Sequence, residues 1–115
     1  MNVNWIKCTT GEWCNFNTVN LSGVTADGVY IIWHAGNPGC VVRVGQGNIA
    51  ERIQKHRNDR QITQYAQSGT LYVTWAAIPA LYQDGVERYL ADMWHPLVGD
   101  AFPNVVPIAV NSPWA

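Results

Sequence analysis

GVYIIWHAGNPGCVVRVGQGNIAERIQKH, residues 28–56, decides the fold. Residues 28–34 are a short apolar run rich in β-branched and aromatic side chains, the pattern of a buried strand. Residues 35–39, AGNPG, are turn chemistry, with glycine open to positive φ and proline fixing φ. Residues 40–44, CVVRV, predict a second strand, and a loop of about five residues closes the two into a hairpin. Side chains alternate along a strand, so Val42 and Val44 are expected to face the core and Arg43 to face away. Asn48 stands where a helix N-cap is expected, with Glu51 three residues on as its capping-box partner. The helix is predicted over residues 49–58. Ile49 and Ile53 share one face, and Arg52 and His56, four residues apart, share another.

Working outward, residues 62–66 allow a second short helix. Residues 71–78, LYVTWAAI, predict a third strand that Pro79 ends. A helix starting near Leu81 or Gly85 should run to Trp94, with Val86, Tyr89, Leu90 and Met93 as its apolar stripe, and Pro96 stops it. Residues 1–22 read as a lead-in segment that packs on the domain. The tail after residue 95 holds four of the six prolines, yet Phe102, Val105, Val106, Ile108, Val110 and Trp114 need burial, so an ordered extension is expected. Strand, strand, helix, strand, helix predicts one domain over residues 1–115 of α/β (α+β) class. Its sheet is expected to be three-stranded, mainly antiparallel and flanked by helices.

Composition narrows the function. Of 115 residues, 48% are hydrophobic and 13% charged, which excludes disorder and a coiled coil. The net charge of −1 lacks the basic excess of a tight nucleic-acid binder. The charge is uneven, however: Arg52, Lys55, His56, Arg57 and Arg60 crowd one segment opposed only by Asp59, which allows a local positive face. Six Trp are read mainly as core, with Trp114 expected to close a cleft or cap an edge. Cys8, Cys14 and Cys40 show no CxxC spacing and no secretion leader is read, so reduced thiols and a cytoplasmic location are expected. A zinc site combining these cysteines with His34 is a minor alternative. No window approaches the roughly 18 apolar residues of a membrane span, so no membrane partner is expected.

Gly28-Val29-Tyr30 on the first strand, Arg43-Val44-Gly45 on the second, Arg52 and His56 on the helix, and Glu87 with Pro96 nine residues beyond resemble the GIY-YIG nuclease family. The resemblance covers residues 28–104, leaving residues 105–115 as a C-terminal extension. It implies that Tyr30 lies near the scissile phosphate, that Arg52 is the essential arginine, that His56 stands where the family has a Tyr or His, and that Glu87 holds the metal, Mg²⁺ or Mn²⁺. The second motif usually opens with Tyr, and here Arg43 replaces it. The family also places an Asn shortly after the Pro. The ungapped position is Gly99; Asn104 serves if an insertion precedes it, with Asn111 as a weaker candidate. Gln46 follows the second motif, where the family often has Lys.

The chemistry suits these residue types. Hydrolysis of a phosphodiester needs a deprotonated water, charge relief on the phosphoryl oxygens and a stabilised leaving oxygen. Mg²⁺ accepts a single protein carboxylate such as Glu87 because it keeps several waters. The guanidinium of Arg52 stays charged and binds phosphate oxygens. Tyr30 and His56 would handle the proton of water. Arg43, Gln46, Lys55 and Asn104 are expected to contact substrate, a nucleic acid with DNA as the expected form. Each residue also has an ordinary reading: a core Tyr30, a surface Arg52, a solvated Glu87 or one paired with Arg88 or Arg52. The rival at the level of the whole protein is a catalytically degenerate nucleic-acid-binding module of the same fold. A further rival is a small interaction domain whose basic helix is only a solvated face. Assigning Tyr30, Arg43, Arg52, His56 and Glu87 to one site requires them to line one concave surface, with Glu87 on the same face of the sheet as Tyr30 and within roughly 15 Å of Arg52.

Overall fold

The computed structural model describes residues 1–99 and 101–114. Its sheet has four strands: β1 (Cys14–Asn15), β2 (Asp27–His34), β3 (Cys40–Asn48) and β4 (Leu71–Ala77). The spatial order is β1-β4-β2-β3 and all three pairings are antiparallel. The expected three-stranded sheet is therefore corrected to four. The added strand, β1, comes from the lead-in and has only two residues, pairing Cys14 with Val73 and Asn15 with Tyr72. So short a strand carries no alternation to read; its partner, not its own sequence, makes it a strand.

Strand β2 is central, and every residue from Gly28 to His34 is buried. A central strand covered on both faces needs an unbroken apolar run, which is what residues 28–34 supply. On one face Tyr30 and Ile32 pack with α1 (Ile49–His56) through Ile49 and Ile53. On the other face Val29, Ile31 and Trp33 pack with α3 (Ala80–Trp94) through Val86 and Leu90. Between them lie α2 (Arg60–Thr63) and a 3₁₀ turn, Gln64–Gln67, where one short helix was expected. The Asn48 side chain accepts from the Glu51 amide at 3.0 Å, starting α1 as the cap pattern predicts. The helix ends at His56, two residues before the expected 58, with Arg57 as its C-cap, and the Arg57 side chain donates to the carbonyls of Phe16 and Val19, both at 2.8 Å. That residue of the basic run thus anchors the lead-in.

Two further expectations are corrected. The face of α3 against the sheet carries Gln83, Val86, Glu87, Leu90 and Ala91, while Met93 is 46% exposed. In the tail, Val110 is buried, but Val106 is 83% exposed. The Ile108 amide bonds to the Gly85 carbonyl at 2.9 Å, and a Cβ on Gly85 would run into Ile108, so this glycine lets the tail lie on α3. The far end of the tail clasps the first residues. The Met1 amine donates to the Ala109 carbonyl at 2.9 Å, the Trp5 indole to the Asn111 carbonyl at 2.8 Å, and the Asn111 side chain bonds both the amide and the carbonyl of Val3. Asn111 is thereby occupied as a clasp.

Cys8 and Cys14 form a disulfide and Cys40 is a free, exposed thiol, which corrects the expectation of three reduced cysteines. A bond of this kind persists in oxidising surroundings and weighs against a cytoplasmic location. The zinc alternative goes with it, since among the described residues no three His, Cys, Asp or Glu side chains converge. Iodoacetamide should label one cysteine in the native protein and three after denaturation with reductant; three labels without reductant would show the pair to be open. By the loop-closure estimate for so short a loop, opening the bond should cost about 2 kcal/mol. Among the described residues no helix is long and apolar enough to cross a membrane.

Candidate active site

Two glycines on β3 make the floor of the site. Tyr30 is the register partner of Gly45, and its ring lies across that residue: a Cβ on Gly45 would overlap the Tyr30 hydroxyl and ring. Gly47 has φ +118°, a conformation that favours glycine, and its missing Cβ would stand 3.0 Å from Nε of Arg52. The second motif is therefore a steric requirement here. Only a glycine at 45 lets the Tyr30 phenol reach over the edge strand toward α1.

At that point the Tyr30 hydroxyl meets Nε2 of His56 at 2.6 Å. Both groups are buried. Burial lowers the His56 pKa to about 4, helped by the positive charges of Arg43, Arg52 and Lys55 and opposed by Asp59. Burial raises the Tyr30 pKa, although the guanidiniums of Arg43 and Arg52 pull it down. The pair is thus a neutral imidazole against a neutral phenol at pH 7. The linkage has a definite sign. The folded pKa of His56 lies below its unfolded value of 6.5, so its share of stability is full above pH 6.5 and is lost as pH falls toward 4. That share should be on the order of 2–3 kcal/mol. In urea titrations at pH 7 and pH 4, the pH-dependent difference in stability between wild type and His56→Gln should isolate it. Parallel pH curves for the two proteins would contradict the shift.

Arg43 enters through an irregularity in the hairpin. Ile32 pairs with Arg43 but Trp33 pairs with Val41, so Val42 is the extra residue of a β-bulge. Val42 packs on the α1 side while Val41 and Val44 pack on the α3 side. The expected alternation is corrected accordingly. Val42 and Val44 do not share a face, whereas Arg43 keeps the expected side opposite Val44, that of its partner Ile32 and of Tyr30. Its guanidinium also fills the space beside Gly99, where a Cβ would stand 2.6 Å from Nη1. Gly99 is the position at which the resemblance leads one to look for Asn. Arginine at 43 and glycine at 99 are sterically matched.

Glu87 arrives from the other side. Helix α3 packs on the face opposite Tyr30, so the requirement that all five residues share one face is not met. They gather instead round the free margin of β3. Gln46, the partner of Val29, projects on the α3 side and its amide donates to Glu87 at 2.7 Å and to Asp84 at 2.6 Å. Burial raises the Glu87 pKa, against the Gln46 hydrogen bond and the nearby charges of Arg43 and Arg52, which lower it. Those two arginines thus act on both Tyr30 and Glu87 across the strand. Arg88 pairs with Asp92 at 3.2 Å, leaving Glu87 to Gln46. Asp84 was missed in the sequence, although its spacing of three from Glu87 on one helix face was legible.

The remaining candidates scatter. Lys55 and Arg52 line an open polar trough of about 550 Å³ on the outside of α1, with Asn48, Glu51, Gln54 and Asn58. Asn104 is exposed, and among the described residues no hydrogen bond ties it to the site. His34 stacks on Tyr65 at 6.1 Å and accepts from the Gly36 amide. The metal expectation has one buried carboxylate to rest on, Glu87, with Asp84 and the Gln46 amide beside it. As placed, the Gln46 N–H groups occupy both carboxylates and offer no ligand atom, so a cation here would have to displace them and keep most of its own waters, and among the described residues no three His, Cys, Asp or Glu side chains converge. No known family, curated protein or solved structure matches this chain.

Proposed function

We propose that this protein is a metal-dependent endonuclease of GIY-YIG type that hydrolyses phosphodiester bonds of nucleic acid, DNA in the first instance, one strand at a time. The observation that carries the reading is a pair of buried polar atoms that find no hydrogen-bond partner among the described residues: Nε of Arg43 and Nδ1 of His56. Such groups are rare in folded proteins and costly. Here they sit beside a buried Tyr–His hydrogen bond, two arginines and a buried carboxylate, which is the equipment for an anionic substrate and a proton in motion.

The residues divide the work. Arg43 and Arg52 bind phosphate oxygens from the two sides of Gly45 and Gly47. Their charges are among the forces that depress His56 in the free protein. A bound phosphodiester neutralises them, so His56 becomes a better base when substrate arrives. Tyr30 then passes its proton to Nε2 of His56 as its oxygen takes one from the attacking water. The resulting hydroxide attacks phosphorus and the 3′-oxygen leaves, protonated by solvent, to give a 3′-hydroxyl and a 5′-phosphate. Mg²⁺ or Mn²⁺ held at Glu87 would supply charge relief on the phosphate and the leaving oxygen.

Nicking of a supercoiled plasmid with Mg²⁺ or Mn²⁺, lost on adding chelator, is the test. Salt-dependent binding without nicking would assign the chain to the non-catalytic module instead. Arg43→Ala should weaken binding and flatten the plot of log affinity against log salt by about one unit, as loss of one phosphate contact implies. An unchanged slope would make Arg43 a structural partner of Gly99. Arg43→Tyr, which restores the family residue, should keep or raise nicking.

A further inference from the structure

Gln46 ties β3 to α3 through a single nitrogen. Its Nε2 donates to Oδ1 of Asp84 at 2.6 Å and to Oε2 of Glu87 at 2.7 Å. An ionised carboxylate accepts and does not donate, so both N–H groups of the amide are spent on this pair. Hydrogen bonds to ionised acceptors are short and strong, and these two have that character. Yet the amide brings no charge. Two carboxylates three residues apart on α3 are held against one neutral atom, and each makes the other harder to ionise. Burial raises the Glu87 pKa, and the neighbouring charge of Asp84 adds to the rise.

The bridge is open at one end. Asp84 is exposed, Gln46 is half-buried and Glu87 is buried, so the three lead from solvent into the site. Among the described residues only one oxygen of each carboxylate accepts a hydrogen bond. The second oxygen of each is left for water or an ion. The amide thus stands where a positive charge would do most, at the carboxylate to which the nuclease reading gives the metal.

We propose that Gln46 is an autoinhibitory plug, whose amide competes with the divalent cation for Glu87 and Asp84 and must swing off the pair before the cation binds. The inference rests on the nuclease reading and adds a threshold to it. The observed cation affinity is the intrinsic affinity reduced by the fraction of molecules with the plug out. Two hydrogen bonds to charged acceptors should hold that fraction to about one tenth or less. Below the threshold Arg43 and Arg52 still bind phosphate, and the strand stays bound and uncut.

Binding of Mn²⁺, followed by loss of the free ion's paramagnetic resonance signal, tests the plug without turnover. Gln46→Met keeps the length of the side chain and removes both donors. It should bind Mn²⁺ about tenfold or more tighter than wild type. Equal or weaker binding by the variant overturns the plug, and weaker binding would make the amide a ligand. A second measurement needs the wild type alone. The side-chain amide resonances of Gln46, assigned by through-bond correlation, should move to the positions of a solvated amide as Mg²⁺ saturates the site. Resonances that stay in place under saturating Mg²⁺ overturn the plug, however the variant folds. Those results with cation-dependent nicking intact leave the nuclease reading standing. Tighter Mn²⁺ binding by Gln46→Met without nicking by either protein keeps the plug and removes the nuclease reading. No Mn²⁺ binding by either protein overturns the plug.

Discussion

Arg52→Ala and Glu87→Gln should each lower strand cleavage by about 10²–10³-fold, the usual cost of removing one preorganised group from a developing charge. Neither change should disturb the fold. Arg52 is exposed and lies over Gly47 rather than in the core. Glutamine at 87 keeps the shape of the side chain, and its amide oxygen still accepts from Gln46. Both variants should therefore unfold within about 0.5–1 kcal/mol of wild type in urea. The two differ in binding. Arg52→Ala should lose affinity for substrate in chelator, where Glu87→Gln should keep it, because a carboxylate repels phosphate unless a cation stands between them. Full nicking activity in Glu87→Gln would remove the metal-ligand role, and full activity in Arg52→Ala would remove the phosphate clamp.

Gly45→Ala should be among the most damaging single methyls in the protein, with Gly28→Ala, whose Cβ would meet the Ala76 backbone carbonyl. The added Cβ overlaps the Tyr30 hydroxyl, which is buried and bonded to His56. Either the ring leaves its place or β3 moves. Overpacking of this kind costs about 1–3 kcal/mol, and stranding the buried His56 nitrogen adds about 1–3 kcal/mol more. A loss of about 2–6 kcal/mol in urea unfolding is expected. Tyr30→Leu in the same chain should recover part of it, giving an interaction of at least about 1 kcal/mol in the double-mutant cycle. Additive losses would mean that Gly45 is needed for something other than Tyr30. The neighbouring change Gly47→Ala acts through positive φ and Arg52, and should spare the Tyr30–His56 bond.

Much of the framework was legible because it is local. The apolar run at residues 28–34, the turn after it and the Asn48 cap each state their structure within a few residues. What escaped is set by distant partners. The bulge at Val42 exists because of the register between β2 and β3, and no pattern in CVVRV announces it. The bulge changes the face of Val42 alone, and Arg43 lies opposite Val44 as alternation predicts. Strand β1 forms because Cys14 finds Val73, and the disulfide because Cys8 lies within reach once that pairing is made. For the candidate site, Tyr30 and His56 meet beside the hairpin with Arg43 and Arg52 acting on both, while the approach of Glu87 from the opposite face was not legible, since helix α3 reveals its buried stripe only against a sheet. Gln46 was singled out as a substrate contact, and the structure instead shows it holding the two carboxylates of α3.

The clasp between the first residues and Asn111 bears on the order of events in folding. It joins positions 106 to 108 apart in sequence, among the longest separations the chain can make. Closing a loop of that size from a disordered chain costs on the order of 4 kcal/mol in entropy, for the return of a few hydrogen bonds. The β2–β3 hairpin closes over a handful of residues and has no such handicap. Loop-closure entropy alone thus favours the sheet condensing before the clasp closes. Contacts made after the transition state leave the folding rate alone and slow unfolding instead. The clasp is a latch on the lifetime of the native state, and the indole of Trp5 is its bolt.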